Sequence, residues 1–137
     1  MMNGLELRRG EVYIANLPKK ENSSIQGGRR PIVIWSNDKN NRYSTVINYY
    51  AMTGQSKKLE LPVHVVVAPR FLIKPSVVLC EQPRTDDEND LMQYIDWNIG
   101  CVGKLSDYDM DRIFIGNAIQ GGSLHLIKNI QHQYAIA

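Results

Sequence analysis

The fold class predicted from the sequence is mostly β: a small, largely antiparallel barrel or curled sheet with one helix near the C-terminus. Three observations predict it. Five short apolar segments are separated by turn-forming residues, one late segment has helical spacing, and no repeat or linker divides the chain. A chain of 137 residues suits one core, so residues 1–137 are expected to form a single domain.

The elements follow in order. "GEVYIANL" reads as a strand with Val12 and Ile14 on one face. The polar stretch "PKKENSSIQGGRR" is too long for a tight hairpin, and loops of this length in compact domains are often functional. "PIVIWS" is nearly continuous in hydrophobicity, which predicts a central strand. "NDKNNRYS" is expected to be a turn, because its asparagines and aspartate favour local side-chain bonds. "TVINYYAM" is the third strand, left through "TGQSKK". "LPVHVVVAP" is the fourth, with Pro62 near its start, where a missing donor does least harm. "SVVLCEQ" is the fifth, and a weak sixth runs through "IGCVGKL". Ser106 is placed to cap a helix, with Asp107, Asp109 and Asp111 suiting its positive end. Met110, Ile113, Phe114 and Ala118 form its apolar stripe, and Gly121-Gly122 end it. "SLHLIKNIQHQYAIA" fits either a short amphipathic helix or a loose tail.

The composition, 43% hydrophobic and 22% charged, is that of an ordinary soluble globular chain. No apolar run approaches the roughly 18–20 residues needed to span a bilayer. "MMNGLELRRGEVY" lacks the apolar centre of a signal peptide, so a cytoplasmic location is expected. Cys80 and Cys101 sit in apolar settings and are expected to be buried thiols, not a disulfide. His64, His125 and His132 are scattered and no CxxC pair exists, which argues against zinc. Charge is unevenly divided. Residues 1–60 hold ten Lys/Arg against five Asp/Glu, whereas residues 61–137 hold six against nine. An anionic ligand on the first half is compatible with that asymmetry.

Three stretches carry candidate chemistry. In "QGGRRPIVIWSND", Arg30 offers a permanently charged fork that matches two phosphate oxygens, and Gly27-Gly28 let backbone amides approach a ligand. In "AMTGQS", Thr53 is a strand-end hydroxyl able to bond a substrate oxygen, and Gln55 lies close by. In "CEQPRTDDEND", Glu81, Gln82 and Arg84 end a strand and precede four carboxylates in five residues. Clustered carboxylates can hold Mg²⁺ for nuclease work, although such a run is more often a solvated turn. Tyr13, Tyr43, Tyr49, Tyr50 and Trp35 can stack on bases, yet aromatics at strand positions are more often core.

Taken together, "RRGEVYIANLP", "QGGRRPIVIWSND", "VINYYAMTGQ", "LPVHVVV", "SVVLCEQPRT" and "GKLSDYDMDRI" resemble, in order and spacing, the MazF/PemK toxins of bacterial toxin–antitoxin systems. The resemblance runs from about Arg8 to Ile119 and leaves residues 120–137 as a C-terminal extension or tail. It implies an SH3-like barrel of the CcdB/PemK type, a homodimer, and a sequence-specific endoribonuclease that cuts single-stranded mRNA without a metal or other cofactor. It also implies a cognate antitoxin protein as partner, and no membrane. Carried over residue by residue, the catalytic pair of the MazF branch falls on Arg30 and Thr53, with Glu81 as a possible base or aligning group. Ser24, Gln26, Gly28, Asn37, Gln55, Gln82 and Arg84 are the candidate RNA contacts around that pair. The chain departs from the family at Ile25, usually glutamate, and from the PemK branch at Ser24 and Leu79, where histidine and arginine are usual. The arginine–threonine version of the site is therefore the expected one. The competing reading is a non-catalytic relative of the CcdB toxins, which bind DNA gyrase instead of cutting RNA.

Overall fold

In the computed structural model of the chain, the described residues are 6–54, 61–123, 125, 126 and 128. Among them the chain forms seven strands and three helices. The strands are β1 (Glu11–Leu17), β2 (Gly28–Ile34), β3 (Val46–Thr53), β4 (His64–Val67), β5 (Ser76–Leu79), β6 (Arg84–Asp87) and β7 (Cys101–Lys104). The helices are α1 (Asp38–Tyr43), α2 (Glu88–Tyr94) and α3 (Asp107–Gln120). All strand pairings are antiparallel, in the order β4-β5-β3-β2-β1-β7, and β6 also pairs with β3. This is the mostly-β curled sheet expected from the sequence.

The central parts of the three long strands are buried on both sides, which explains the near-continuous hydrophobicity of residues 31–34 in β2 and of residues 49–52 in β3. Side chains alternate across a strand. Tyr13, Ala15 and Leu17 of β1, Ile32 and Ile34 of β2, and Ile47, Tyr49 and Ala51 of β3 therefore face one cluster, which α2 covers with Leu91 and Met92. Val12, Val33, Tyr50 and Met52 face the other, closed by Val65, Val67 and Val78 and by Met110 and Ile113 of α3. Among the described residues no helix is long and apolar enough to cross a membrane.

Several expectations need correction. "NDKNNRYS" forms α1 instead of a turn: Asn37 caps it by accepting from the Asn40 amide at 2.8 Å, and the fully buried Asn41 amide donates to the Ser36 carbonyl at 2.9 Å. The local side-chain bonds were foreseen, but here they start a helix. "RTDDEND" is not a solvated turn. Its first half is β6, zipped onto β3 from Val46↔Asp87 to Tyr49↔Arg84, and its second half begins α2. Pro62 lies before β4, outside the strand. Ser106 caps α3 as expected, its hydroxyl accepting from the Asp109 amide at 3.1 Å, and Gly121 ends it. Phe114, however, is 49% exposed and lies along Trp35 instead of in the core. Cys80 is buried and burial pushes its thiol up to about 12. Cys101 is exposed; it opens β7, which among the described residues is an edge strand paired with β1. Both thiols are free. Of the C-terminal segment, His125 and Leu126 are helical, and much of the rest lies outside the described residues.

Candidate active site

The site starts from two glycines with different jobs. Gly27 is buried against the preceding loop: a Cβ there would stand 2.7 Å from the Pro18 carbonyl oxygen and 2.7 Å from the Lys19 Cα, both backbone atoms. Gly28 has φ +85°, in the left-handed region that side chains resist. Together they turn the chain sharply into β2. Gly27→Ala is expected to destabilise the protein by about 1–3 kcal/mol through overpacking. Gly28→Ala is expected to cost about 1–2 kcal/mol through backbone strain. Urea unfolding midpoints of the two variants check both.

Arg30 is the third residue of β2, within the strand and not in the loop before it. The β2–β3 ladder runs from Ile34↔Tyr49 to Ile32↔Ala51, and Arg30 and Thr53 lie one two-residue step beyond its end. By alternation, Arg30 shares a face with Ile32 and Ile34, and Thr53 with Ala51 and Tyr49. Arg30 Nε donates to the Gly27 carbonyl at 2.9 Å, and Nη1 donates to the carbonyl of Met52, the residue before Thr53, at 3.4 Å. Burial, and after it the positive charge of Arg84, hold the Arg30 guanidinium below the usual arginine range. A partly desolvated cation beside a like charge gains strongly from an arriving anion. Thr53 is 3% exposed.

Arg84 reaches the same face because it pairs with Tyr49 across the ladder. Its Nε donates to the Tyr49 hydroxyl at 3.2 Å and its Nη1 to the Gln26 carbonyl at 2.6 Å, while Tyr49 donates to Asp86. Gln82 holds the same loop twice: its Oε1 accepts from the Gln26 amide at 3.0 Å and its Nε2 donates to the Ser24 carbonyl at 3.2 Å. Ser24, Gln26, Gln82 and Arg84 are thus tied together beside Arg30, with Gly28 two residues before it in β2, and several of their polar groups are spent on positioning residues 24 and 26.

Other candidates are placed elsewhere. The Glu81 carboxylate turns to His64, with Oε2 and Nε2 2.6 Å apart. Asn37 caps α1 beyond the far end of β2 from Arg30. Gln55 lies outside the described residues. Arg29 forms an ion pair with Asp96 at 2.9 Å, which lowers the Asp96 carboxyl below its usual range. Of the aromatics, Tyr13, Tyr49 and Tyr50 are core, Tyr43 is exposed, and Trp35 lies under the Arg9 guanidinium at 4.2 Å.

Comparison with known proteins gives this arrangement its family. The model of the PemK-like, MazF-like toxins of type II toxin–antitoxin systems matches residues 8–116. This chain belongs to that family. An endoribonuclease MazF from Staphylococcus saprophyticus is 39% identical over 126 residues, covering 90% of this chain and 97% of that protein. Among solved structures, MazF from Deinococcus radiodurans (form I) superposes with a TM-score of 0.69 at 16% identity, covering 86% of this chain and 98% of that one. An endoribonuclease in complex with its cognate antitoxin from a mycobacterial species gives 0.62 at 21% identity, covering 84% and 94%. At such identities the two structures speak for the fold.

Within this MazF-like chain, three residues shape the site in ways the sequence does not show: His64, Tyr49 and Asp86. His64 was set aside as a scattered histidine, although its alternation with Val65 and Val67 in "HVVV" places it on the face opposite those core valines. Tyr49 is visible as an aromatic and Asp86 as one of the clustered carboxylates, but their bond has no local signal, since it needs β6 to fold onto β3.

Proposed function

We propose that this chain is the toxin of a type II toxin–antitoxin pair and an endoribonuclease that cuts single-stranded mRNA by attack of the 2′-hydroxyl on the adjacent phosphate. The observation that carries this reading is the common face of Arg30 and Thr53 at the ends of two neighbouring strands, with Arg30 tied to the Met52 carbonyl. As the 2′-oxygen–phosphorus bond forms, the bond from phosphorus to the 5′-oxygen breaks. The proton of the 2′-hydroxyl passes to water, and the departing oxygen takes one from the phosphate-bound Arg30 guanidinium, which water then reprotonates, giving a 2′,3′-cyclic phosphate and a 5′-hydroxyl. Arg30 neutralises the charge that gathers on phosphorus-bound oxygens in the transition state. Thr53 orients the 2′-hydroxyl or a non-bridging oxygen, and RNA entry must uncover it, since it is 3% exposed in the free protein. Glu81, held by His64, takes no part in these proton transfers.

The substrate must be unpaired, because bases are read only when unstacked. We further propose that the toxin is one domain over residues 1–137, with 120–137 as its C-terminal extension. It acts in the cytoplasm as a homodimer and is inhibited by an antitoxin occupying the RNA groove. Because the charge is supplied by guanidinium groups, cleavage of a long single-stranded transcript is expected to proceed in excess EDTA. Gel analysis with end-group mapping checks this. Rescue of activity only by added Mg²⁺ would refute the metal-free step, and intact RNA under all conditions would favour a non-catalytic toxin.

A further inference from the structure

The His64–Glu81 pair is used by neither strand pairing nor the cleavage chemistry, yet it lies on the face of the site. Thr53 pairs with Val77, Val77 with Val66, and Leu79 with His64, so alternation puts Thr53, Val77, Leu79 and His64 on one side of the sheet. Arg30 lies on β2, three strand spacings from β4, about 14 Å. That is too far to share the phosphate held at Arg30 and suits a flanking nucleotide. Glu81 is also next in sequence to Gln82, which clasps residues 24–26.

The two side chains differ in access. His64 is 7% exposed and its Nε2 is occupied by Glu81, whereas the Glu81 side chain is 30% exposed. With the carboxylate ionised, the proton between Nε2 and Oε2 belongs to the imidazole, so His64 donates and fixes the orientation of Glu81. Glu81 Oε1 is covered in the free protein and has no hydrogen-bond partner among the described residues, so RNA entry must uncover it as it uncovers Thr53. The carboxylate therefore keeps acceptor capacity that the protein does not use.

We infer that Glu81, oriented by His64, reads a base beside the scissile phosphate and selects there for a base bearing an amino group over uracil. A fixed carboxylate accepts from the amino group of cytosine and equally from the N–H groups of adenine or guanine edges. Uracil presents carbonyl oxygens on either side of its single N–H, and these face the carboxylate unfavourably. Glu81 is then a specificity residue and His64 a positioning residue. This inference rests on the endoribonuclease reading above.

The test is primer-extension mapping of cuts on one long transcript by wild type, Glu81→Gln and His64→Gln, with melting temperatures of all three. Wild type is expected to disfavour uracil about ten- to a hundredfold at one fixed position from the cut, as loss of a hydrogen bond to a charged group implies. Glu81→Gln, whose amide can also donate, should level the preference at that position, its cutting of uracil-bearing sites rising relative to the parent sites. His64→Gln should blur the same position less. A clasp with only a structural role would lower the melting temperature and leave the cut pattern unchanged, and that outcome overturns the inference. Wild-type cutting with no position that disfavours uracil overturns it too. No cutting by wild type overturns the endoribonuclease reading along with it, which separates the two failures.

Discussion

Arg30→Ala is expected to lower kcat by on the order of 10²–10³-fold, the usual cost of removing one preorganised donor from a developing oxyanion. Its effect on folding should be small. The side chain makes hydrogen bonds to two carbonyls, those of Gly27 and Met52, at the open end of the strand pair, and it fills no core cavity. Circular dichroism and a melting curve close to wild type, beside single-turnover rates, would separate chemistry from unfolding. Arg30→Lys is a sharper companion. Lysine keeps the charge but loses the planar fork, so it should recover only part of the rate. Cleavage by Arg30→Ala at the wild-type rate would move the reaction to another surface of the molecule.

A transcript with deoxyribose at the scissile position should not be cut at all, while its affinity stays within a few-fold of the all-ribose strand. The nucleophile is then missing, but the phosphates that dominate affinity for single strands remain. Fluorescence anisotropy on the deoxy-substituted strand measures binding without turnover, and the same strand on a gel measures cutting. Salt dependence adds a check. If Arg30 holds one phosphate, Arg30→Ala should reduce the slope of log K against log salt by about 0.7. A cut deoxy strand would mean that water, not the ribose, attacks.

How much of the site was legible differs residue by residue. Arg30 and Thr53 could be named because each sits in a short stretch whose glycines and strand-end position mark it out, and the family resemblance paired them. Glu81 was legible as a carboxylate but not in its allegiance. It turns to His64, seventeen positions earlier, a contact created by the β4–β5 ladder. Gln82 and Arg84 looked like RNA ligands because they are polar and near the site. Most of what they reach in the free protein is the backbone of residues 24 and 26. Asn37 looked like a ligand for the same reason and is a helix cap.

By itself the sequence determined six of the seven strand segments and the capped late helix, and it put forward the arginine and the hydroxyl as candidates. These rest on alternation, capping and turn chemistry, which act over a few residues and are written in local order. Only the tertiary structure decided that β6 folds onto β3, that Tyr49 and Asp86 support Arg84, and that His64 claims Glu81. Those contacts join residues far apart in the chain. Which face a polar side chain occupies, and which partner it meets there, depends on strand order and register, and neither is encoded in any single segment.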